Sequence, residues 1–481
     1  MCRYTEGSLF WSSSLERKHY HLIGICGTAM ASLAGMLIQQ GHEVTGSDEN
    51  VYPPMSLELE RLGIAASEGY RPENIVGRPD FVVVGNAITR GNPELEFVLT
   101  EKLYYTSMAA VVQDNFIRGH HSIVIAGTHG KTTTTSLMAW AMERAGANPS
   151  FLVGGVAENF QSSFRVTGGK YFVIEGDEYD TAYFDKGPKF MHYLPDLVVL
   201  NNVEFDHADI YRDLEAVKFA FSRLINLVPA NGVLIAGWDS EIVRELSKRA
   251  FCRVDSFGID EGANWRAREI DFSGEMTTFT VEVAGRRFAS YRTPLAGSFN
   301  VDNCLAVIAT CEALGLGQTA VAEALAEFKS VKRRMQVRGS VRGVTVIDDF
   351  AHHPTAVRET LLAARAKYPG RRLVALFEPR SFTAQIRAFQ EQFELALSEA
   401  DSIIIAGLFH PERYTADSAI SPVEMAGRLR NMDREAEFIP STDEIVTHLA
   451  PRLKKNDVVV IMSNGSFGGI HDKLMRALAG D

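Results

Sequence analysis

The apolar run Ser122–Ala126 ends in Gly127-Thr128-His129-Gly130-Lys131-Thr132 and passes directly into a Thr-rich stretch with helical patterning to about Arg144. A strand, a glycine loop and a helix in that order call for a parallel sheet, because the helix must cross back before the next strand can pair. The same arrangement points backbone N–H groups and the positive end of a helix at whatever fills the loop, which suits phosphate oxygens. Lys131 supplies a cation and Thr132 a hydroxyl for magnesium, with Thr133 next on the helix. The longer form of such a loop would want glycine at position 125, where this chain has Ile125, so the spacing is that of a shorter variant. A chance Gly-Lys-Thr turn is the plain alternative, and the strand before it and the helix after it argue against that.

The pattern recurs along the chain. A strand at His21–Ile25 runs into Gly24-Ile-Cys26-Gly27-Thr28-Ala-Met30 and a helix through Gln40, with Gly41 as its stop. Strands at Glu43–Asp48 and Phe81–Val84 follow, which predicts an α/β domain over residues 20–117 behind an extension at 1–19. A second domain, 118–331, has further strands at Tyr171–Glu175, Leu197–Asn201 and Val233–Ala236, an alternating stretch Thr277–Val283 that suggests an antiparallel hairpin, and a last helix starting near Asn300. A basic stretch, Lys329–Arg338, leads into a third α/β domain, 332–481, with strands at Thr345–Asp348, Leu373–Phe377, Ser402–Ala406 and Val458–Met462. A chain of 481 residues, 46% hydrophobic, is long enough for about three such cores.

Charge narrows the partners. A net charge of −11 argues against a phosphate-backbone surface, and so against nucleic acid as the main partner. No apolar run approaches the roughly 20 residues that span a bilayer, so no membrane insertion is expected and the chain should stay in the cytoplasm. Cys2, Cys26, Cys252, Cys304 and Cys311 are odd in number and lack CxxC spacing, which fits reduced thiols better than disulfides or a zinc site. The sequence carries no signal for oligomeric state.

Two acid-rich stretches stand at strand ends: Glu175-Gly-Asp177-Glu178-Tyr179-Asp180 and Asn201-Asn202-Val-Glu204-Phe-Asp206-His207. In an open parallel sheet, ligands bind beyond the carboxyl ends of the strands, so both stretches should open toward the phosphate loop. Ordinary loop polarity accounts for any single acid equally well; the ordered set of loop, Glu175 and His207 is harder to explain that way. The first glycine loop is weaker. Gly24, Gly27 and Asp48, taken alone, fit a nicotinamide or flavin site as well as any other nucleotide, and the spacing departs from GxGxxG. Asn86, Thr89 and Arg90 after the third strand either face that ligand or cap the loop.

In their order, Gly-Thr-His-Gly-Lys-Thr-Thr-Thr (127–134), Glu175, Asp206-His207, Asn300-Val-Asp-Asn303, Lys332-Arg-Arg334 and Asp348-Asp349-Phe-Ala-His352-His353-Pro354 resemble the Mur ligase family. That resemblance spans about residues 20–475. It implies an N-terminal Rossmann-like domain for a UDP-sugar, a central P-loop ATPase domain and a C-terminal Rossmann-like ligase domain. It also implies ATP-dependent joining of an amino acid or peptide to UDP-N-acetylmuramate, with Mg2+ and release of ADP and phosphate.

Four stretches resemble the branch that adds the murein tripeptide L-alanyl-γ-D-glutamyl-meso-diaminopimelate in peptidoglycan recycling: residues 24–30, 85–92, 178–186 with 377–381, and 462–471. The sibling that adds L-alanine usually has Gly-x-Gly-Gly-x-Gly-Met in the first loop and His-Arg-Tyr where this chain has Arg380-Ser381. That sibling is the runner-up, and folate polyglutamylation a more distant one. A nucleotide-binding switch without ligation is the alternative from another class, against which the intact Lys131, Thr132, Glu175 and His207 set speaks.

The resemblance assigns roles by motif position. ATP would be held by Gly127, Thr128, His129, Gly130, Lys131, Thr132, Thr133, Asn300, Asn303, Arg334 and Asp349. Magnesium would take Thr132, Glu175 and His207. The UDP-sugar would meet Gly24, Cys26, Gly27, Thr28, Asp48, Asn86, Thr89 and Arg90. Relatives that bridge magnesium with a modified lysine have it near Ser222 here, with Lys218 one turn earlier, so no carbamylated lysine is expected.

These residue types suit the chemistry. A carboxylate is a poor acyl donor until phosphorylated, and phosphoryl transfer needs charge stabilisation, which Lys131, Arg334 and magnesium would provide, more than a protein nucleophile. The amine that attacks the acyl phosphate must lose a proton, for which His352 is the candidate base and His353 its competitor. Arg380 is the first candidate for a peptide carboxylate, with a surface salt bridge almost as good an account. Tyr179, Tyr183 and Lys186 are candidates to line the peptide channel, or routine packing.

Overall fold

The computed structural model describes residues 16–51, 55–415 and 417–480. By their internal contacts these fall into two units. One contains the chain up to Asn115 together with the later segment Asp180–Lys186, and the other contains 116–179 and everything from Gly187 onward.

In the first unit five strands pair in parallel in the order Ala66–Glu68, Glu43–Asp48, His19–Ile23, Phe81–Val84, Tyr105–Ser107. The opening strand starts and stops two residues before the expected His21–Ile25, so His19 belongs to the sheet and not to an extension. The reason is Gly24: its φ of +84° turns the chain out of the sheet, and the Gly24 and Ile25 N–H groups both donate to Ser47 O. The helix Thr28–Gln39 buries Met30–Leu37 between the sheet and the helices Met55–Arg61 and Met108–Val112, and Gly41, with φ +86°, lies just past its end as expected. On the other face Ile23, Val82, Val84, Ile88, Leu95 and Val98 close an apolar cluster. The segment Asp180–Lys186 contributes to this unit: Tyr183 packs on that cluster, and the Phe184 ring meets Tyr105 edge-on at 5.1 Å.

The second unit holds two sheets. The ten-stranded one runs Arg286–Thr293, Thr277–Val283, Trp265–Asp271, Arg253–Gly258, Val233–Gly237, Leu197–Leu200, His121–Ala126, Tyr171–Gly176, Ser150–Ala157, Ser162–Arg165. Its middle is parallel, and Thr277–Val283 pairs antiparallel on both sides, making a three-stranded meander out of the expected hairpin. Strands buried on both faces read as continuous apolar runs, as in Leu197-Val-Val-Leu200. The helix Lys131–Arg144 packs on the helix Ser298–Ala313. A further helix, Gln318–Ala326, follows Ser298–Ala313, so the expectation that the last helix starts near Asn300 is corrected. Leu314, Leu316, Val321 and Leu325 keep the same cluster fed across the break at Gly315–Gly317, which hid the second helix from a reading by stop signals.

The other sheet has six strands in the order Gln336–Val341, Val344–Asp349, Val458–Met462, Leu373–Phe377, Ser402–Ile405, Glu435–Phe438, antiparallel only at its first pair. Separate apolar clusters cover its two faces, the mark of a doubly wound sheet. No helix among the described residues is long and apolar enough to cross a membrane. Cys26, Cys252, Cys304 and Cys311 are free thiols, while Cys2 lies outside the described residues.

Candidate active site

Gly127 and Gly130 set the shape of the phosphate loop. Gly127 has φ +131°, and a Cβ there would come within 2.9 Å of Asn202 O. Gly130, φ +83°, precedes the helix Lys131–Arg144, and a Cβ would lie 2.6 Å from Asn303 Oδ1. Loop and neighbouring strand end are bonded throughout: Thr128 N–H donates to Asn202 O at 3.0 Å, His129 N–H to Asn202 Oδ1 at 2.8 Å, and Glu204 N–H to Thr128 Oγ1 at 2.8 Å. The two strand-end stretches therefore do open onto this loop.

Lys131 Nζ folds over its own loop, donating to Gly127 O at 2.7 Å and Thr128 O at 3.1 Å. It also pairs with Glu178 at 2.9 Å. Glu178 is 2% exposed and, on its other side, meets His207 Nε2 at 3.2 Å. Burial opposes charge on Lys131 and on His207, but the Glu178 carboxylate, aided by Asp177 for the lysine and Asp206 for the histidine, raises both above their ordinary values. His207 sits in the left-handed region, φ +54°, with its N–H donating to Asp206 Oδ1 at 2.7 Å. Such a conformation costs about 1 kcal/mol in a residue with a Cβ and is kept where surroundings over-determine it. The Tyr179 ring lies 4.0 Å from the His207 ring.

Thr132 Oγ1 donates to Glu175 Oε1 at 2.8 Å, and Gly154 N–H donates to Glu175 Oε2 at 2.7 Å. Lys218, on the helix where a modified lysine was not expected, pairs with Glu215 and Glu245, and Ser222 Oγ bonds Phe219 O.

A cavity of about 150 Å³ opens beside His207, lined among others by Tyr179, Asp206, His352, Ser381, Thr383 and Asn464. Asp206 accepts from Thr383 Oγ1 at 2.8 Å, and burial is outweighed by His207 and the other imidazoles around it, holding the carboxyl well below its usual range. His352 Nδ1 lies 2.9 Å from Phe350 O, so the neutral ring carries its proton there and leaves Nε2 bare. Burial pushes His352 down to about 4, and His353 likewise to about 4. His353 Nε2 lies 3.2 Å from Phe205 O, and its ring stands 4.7 Å from that of His129. Glu204 lies between them; burial raises its carboxyl, but His129, Thr355 and His353 bring it down to about 2.

The remaining expected residues have structural engagements. Asn303 accepts from Thr134 Oγ1 at 2.9 Å and donates to Asn300, which donates to Ala296 O at 2.7 Å, so this pair ties two helices together behind the loop. Asp349 accepts from Met335 N–H at 2.7 Å, Ala351 N–H at 2.8 Å and Thr360 Oγ1 at 3.2 Å, and burial raises its pKa against the pull of Arg334. Arg334 stacks over Phe350 at 5.3 Å. Arg380 stacks over Phe409 at 3.8 Å, with Glu378 3.7 Å away.

In the first unit, Asp48 accepts from Cys26 N–H at 2.9 Å and so holds the glycine loop itself. Gly27 and Thr28 are exposed. Arg90 forms a bidentate pair with Glu96 at 2.9 and 3.1 Å, and Asn86 and Thr89 are exposed. Lys186 pairs with Asp180 at 2.8 Å.

Reading the sequence missed Glu178 and Glu204 as members of the site. Glu175, Asp177, Glu178 and Asp180 are too alike to rank once the strand ends at Gly176, because alternation stops with the strand. The available signal was position: Glu178 lies two residues and Glu204 four residues past the ends of the strands that flank the loop strand.

Family models match three stretches: "Mur ligase family, catalytic domain" at 19–118, "Mur ligase middle domain" at 125–311 and "Mur ligase, glutamate ligase domain" at 333–465. The chain is 39% identical, over 95% of its length and 98% of the other, to the UDP-N-acetylmuramate–L-alanyl-γ-D-glutamyl-meso-2,6-diaminoheptandioate ligase of Escherichia coli K12. It is 34% identical, over 92% and 94%, to the UDP-N-acetylmuramate–L-alanine ligase of Chlorobium phaeobacteroides BS1. Among solved structures, the murein peptide ligase of Psychrobacter arcticus 273-4 matches with a TM-score of 0.72 at 35% identity, over 96% of this chain and 99% of that one.

Proposed function

We propose that this chain, which belongs to the Mur ligase family, joins L-alanyl-γ-D-glutamyl-meso-diaminopimelate to the lactyl carboxylate of UDP-N-acetylmuramate, converting ATP to ADP and phosphate. The observation that carries this reading is the full-length 39% identity to a ligase named for those substrates. The reaction belongs in the cytoplasm, with UDP-sugars and ATP, as a salvage step for peptide released from the wall.

In this reading Lys131 exchanges the Gly127 and Thr128 carbonyls for the phosphates of ATP, while Glu178 keeps it charged and aimed. The loop N–H groups and Arg334 add to the stabilisation of charge on the transferring group. Magnesium fits the donor set. Thr132 Oγ1 and Glu175 Oε1 stand 2.8 Å apart, near the roughly 3 Å between adjacent oxygens of an octahedron with bonds of about 2.1 Å. His207 completes the proposed set. When bound, the ion neutralises charge on the phosphates.

The carboxylate oxygen of the sugar attacks the γ-phosphorus, ADP leaves, and the acyl phosphate forms. The peptide amine then adds to the acyl carbon, and phosphate departs. The proton of the attacking amine goes to Nε2 of His352, which is neutral at pH 7 and faces the cavity that Ser381 and Thr383 share. Asn300, Asn303 and Asp349 act by holding the walls of the nucleotide site. Gly24, Cys26, Gly27, Thr28 and Asp48, with Asn86, Thr89 and Arg90, bind the UDP-sugar, and Arg380 takes a peptide carboxylate.

The test is phosphate release from ATP with magnesium and UDP-N-acetylmuramate, comparing the tripeptide with L-alanine. Turnover with the tripeptide alone is expected; turnover with L-alanine alone would move the chain to the alanine-adding branch. In the same assay, with saturating substrates, His352→Ala should lower kcat by about a hundredfold. Unchanged turnover would take the base role from His352.

A further inference from the structure

We propose that His129, Glu204 and His353 form a binding site for one divalent transition-metal ion of the zinc type, additional to any ion that accompanies the nucleotide. The site goes beyond the ligase reading and does not depend on it.

Two of the three distances are already close to those of a ligand set. Glu204 Oε2 lies 3.4 Å from His129 Nε2 and 3.6 Å from His353 Nδ1, and the ligand atoms of the three residues all fall within 4.8 Å of one another. Around a tetrahedral ion with bonds of about 2.0–2.1 Å, neighbouring ligands stand about 3.3–3.4 Å apart. Both edges at Glu204 are within a few tenths of an ångström of that spacing, while the His129–His353 edge, at most 4.8 Å, closes by side-chain rotation of up to about 1.4 Å.

The hydrogen bonds orient it. Phe205 O, which only accepts, lies 3.2 Å from His353 Nε2, so the neutral ring carries its proton on Nε2 and presents a bare lone pair at Nδ1. His353 is 3% exposed, and Nδ1 has no hydrogen-bond partner. What it faces is the half-buried Glu204 carboxylate, so a buried imidazole lone pair and a carboxylate oxygen, both acceptors, point at one another, an arrangement that a cation between them relieves. Thr355 Oγ1 donates to Glu204 Oε2 at 2.6 Å. That hydroxyl and the Phe205 carbonyl are the outer partners that metal-binding carboxylates and imidazoles ordinarily have.

Two imidazoles and one carboxylate select zinc, cobalt or nickel over magnesium, which prefers oxygen ligands in an octahedron. The three residues come from the phosphate loop, from the loop after Leu197–Leu200, and from the residue preceding the helix Pro354–Lys367. A bound ion would therefore pin the phosphate loop to a helix of the six-stranded domain.

Cobalt reports this directly. The full-length protein, with magnesium in large excess to saturate oxygen-rich sites, is titrated with Co2+ and followed by visible absorption. One equivalent should bind with the intense bands of a four-coordinate ion, be displaced by Zn2+, and persist in Thr132→Val. Glu204→Gln, which keeps the side-chain volume and an acceptor for Thr355, should weaken binding roughly tenfold or more. His353→Ala should abolish it, and if that variant does not fold, Glu204→Gln decides. No visible band, or a band and affinity unchanged in Glu204→Gln, overturns the site.

Discussion

The chain contains two strand–glycine–helix loops whose pivotal glycines have almost the same backbone angle, +84° at Gly24 and +83° at Gly130, and whose surroundings differ completely. At the first, a Cβ would find nothing nearer than Ile88 at 3.4 Å, the loop is half exposed, and one carboxylate, Asp48, holds it from below. At the second, a Cβ would meet Asn303 and Asn201 inside 3 Å, and the helix begins with a lysine held by a buried carboxylate. The comparison teaches that the motif supplies a turn and a set of N–H donors, while the later strand ends that crowd around it supply the charge and the rigidity.

The largest expected effect tests the crowded loop. Lys131→Ala should lower kcat about a hundred- to a thousandfold, the usual loss when one preorganised electrostatic donor is removed. It also leaves the buried Glu178 carboxylate with His207 as its one remaining side-chain partner among the described residues. Steady-state phosphate release measures this, and a change within a factor of about three would strip Lys131 of the role.

A matched pair then asks whether surroundings or backbone angle decide a glycine's cost. Gly130→Ala should destabilise by about 2–4 kcal/mol, because strain at positive φ adds to overlap with Asn303, whereas Gly24→Ala should cost about 1 kcal/mol, from the angle alone. Chemical denaturation of both variants compares them, and equal losses would show that the angle dominates.

The smallest effect concerns acid. Burial holds His353 near 4, against about 6.5 in the unfolded chain. Between those values the unfolded state binds a proton that the folded state refuses, so stability rises with pH across roughly 4 to 6.5 and falls as pH drops through that window. Measured with a chelator present, the denaturation midpoint should fall between pH 7 and pH 5 by the equivalent of about 1–2 kcal/mol for this group. His353→Gln, which cannot titrate, should flatten that slope; an identical slope in the variant would place the acid sensitivity elsewhere.

Much of this site was legible because its members stand at predictable places. Lys131 and Thr132 follow a glycine loop after an apolar run, Glu175 lies at the end of a second, and His207 closes the polar stretch that follows a third. Glu178 was not, because it is one of three similar acids just beyond a strand end and only the fold turns it between Lys131 and His207. The helix Gln318–Ala326 was hidden by the glycines at 315 and 317, and the segment Asp180–Lys186 gave no sign that it packs with the first unit.

What the sequence determined by itself was periodicity and punctuation: which runs are strands, where glycine ends them, and that parallel sheets must result, since these depend on neighbours within a few residues. Which strands stand side by side, and so which acids face the phosphate loop, was decided by tertiary structure alone. The contact between Glu204 and His353 joins residues far apart in the chain, and no local preference encodes it. It exists because strands and helices from two sheets bury their apolar faces in the one arrangement that also brings these polar ends together.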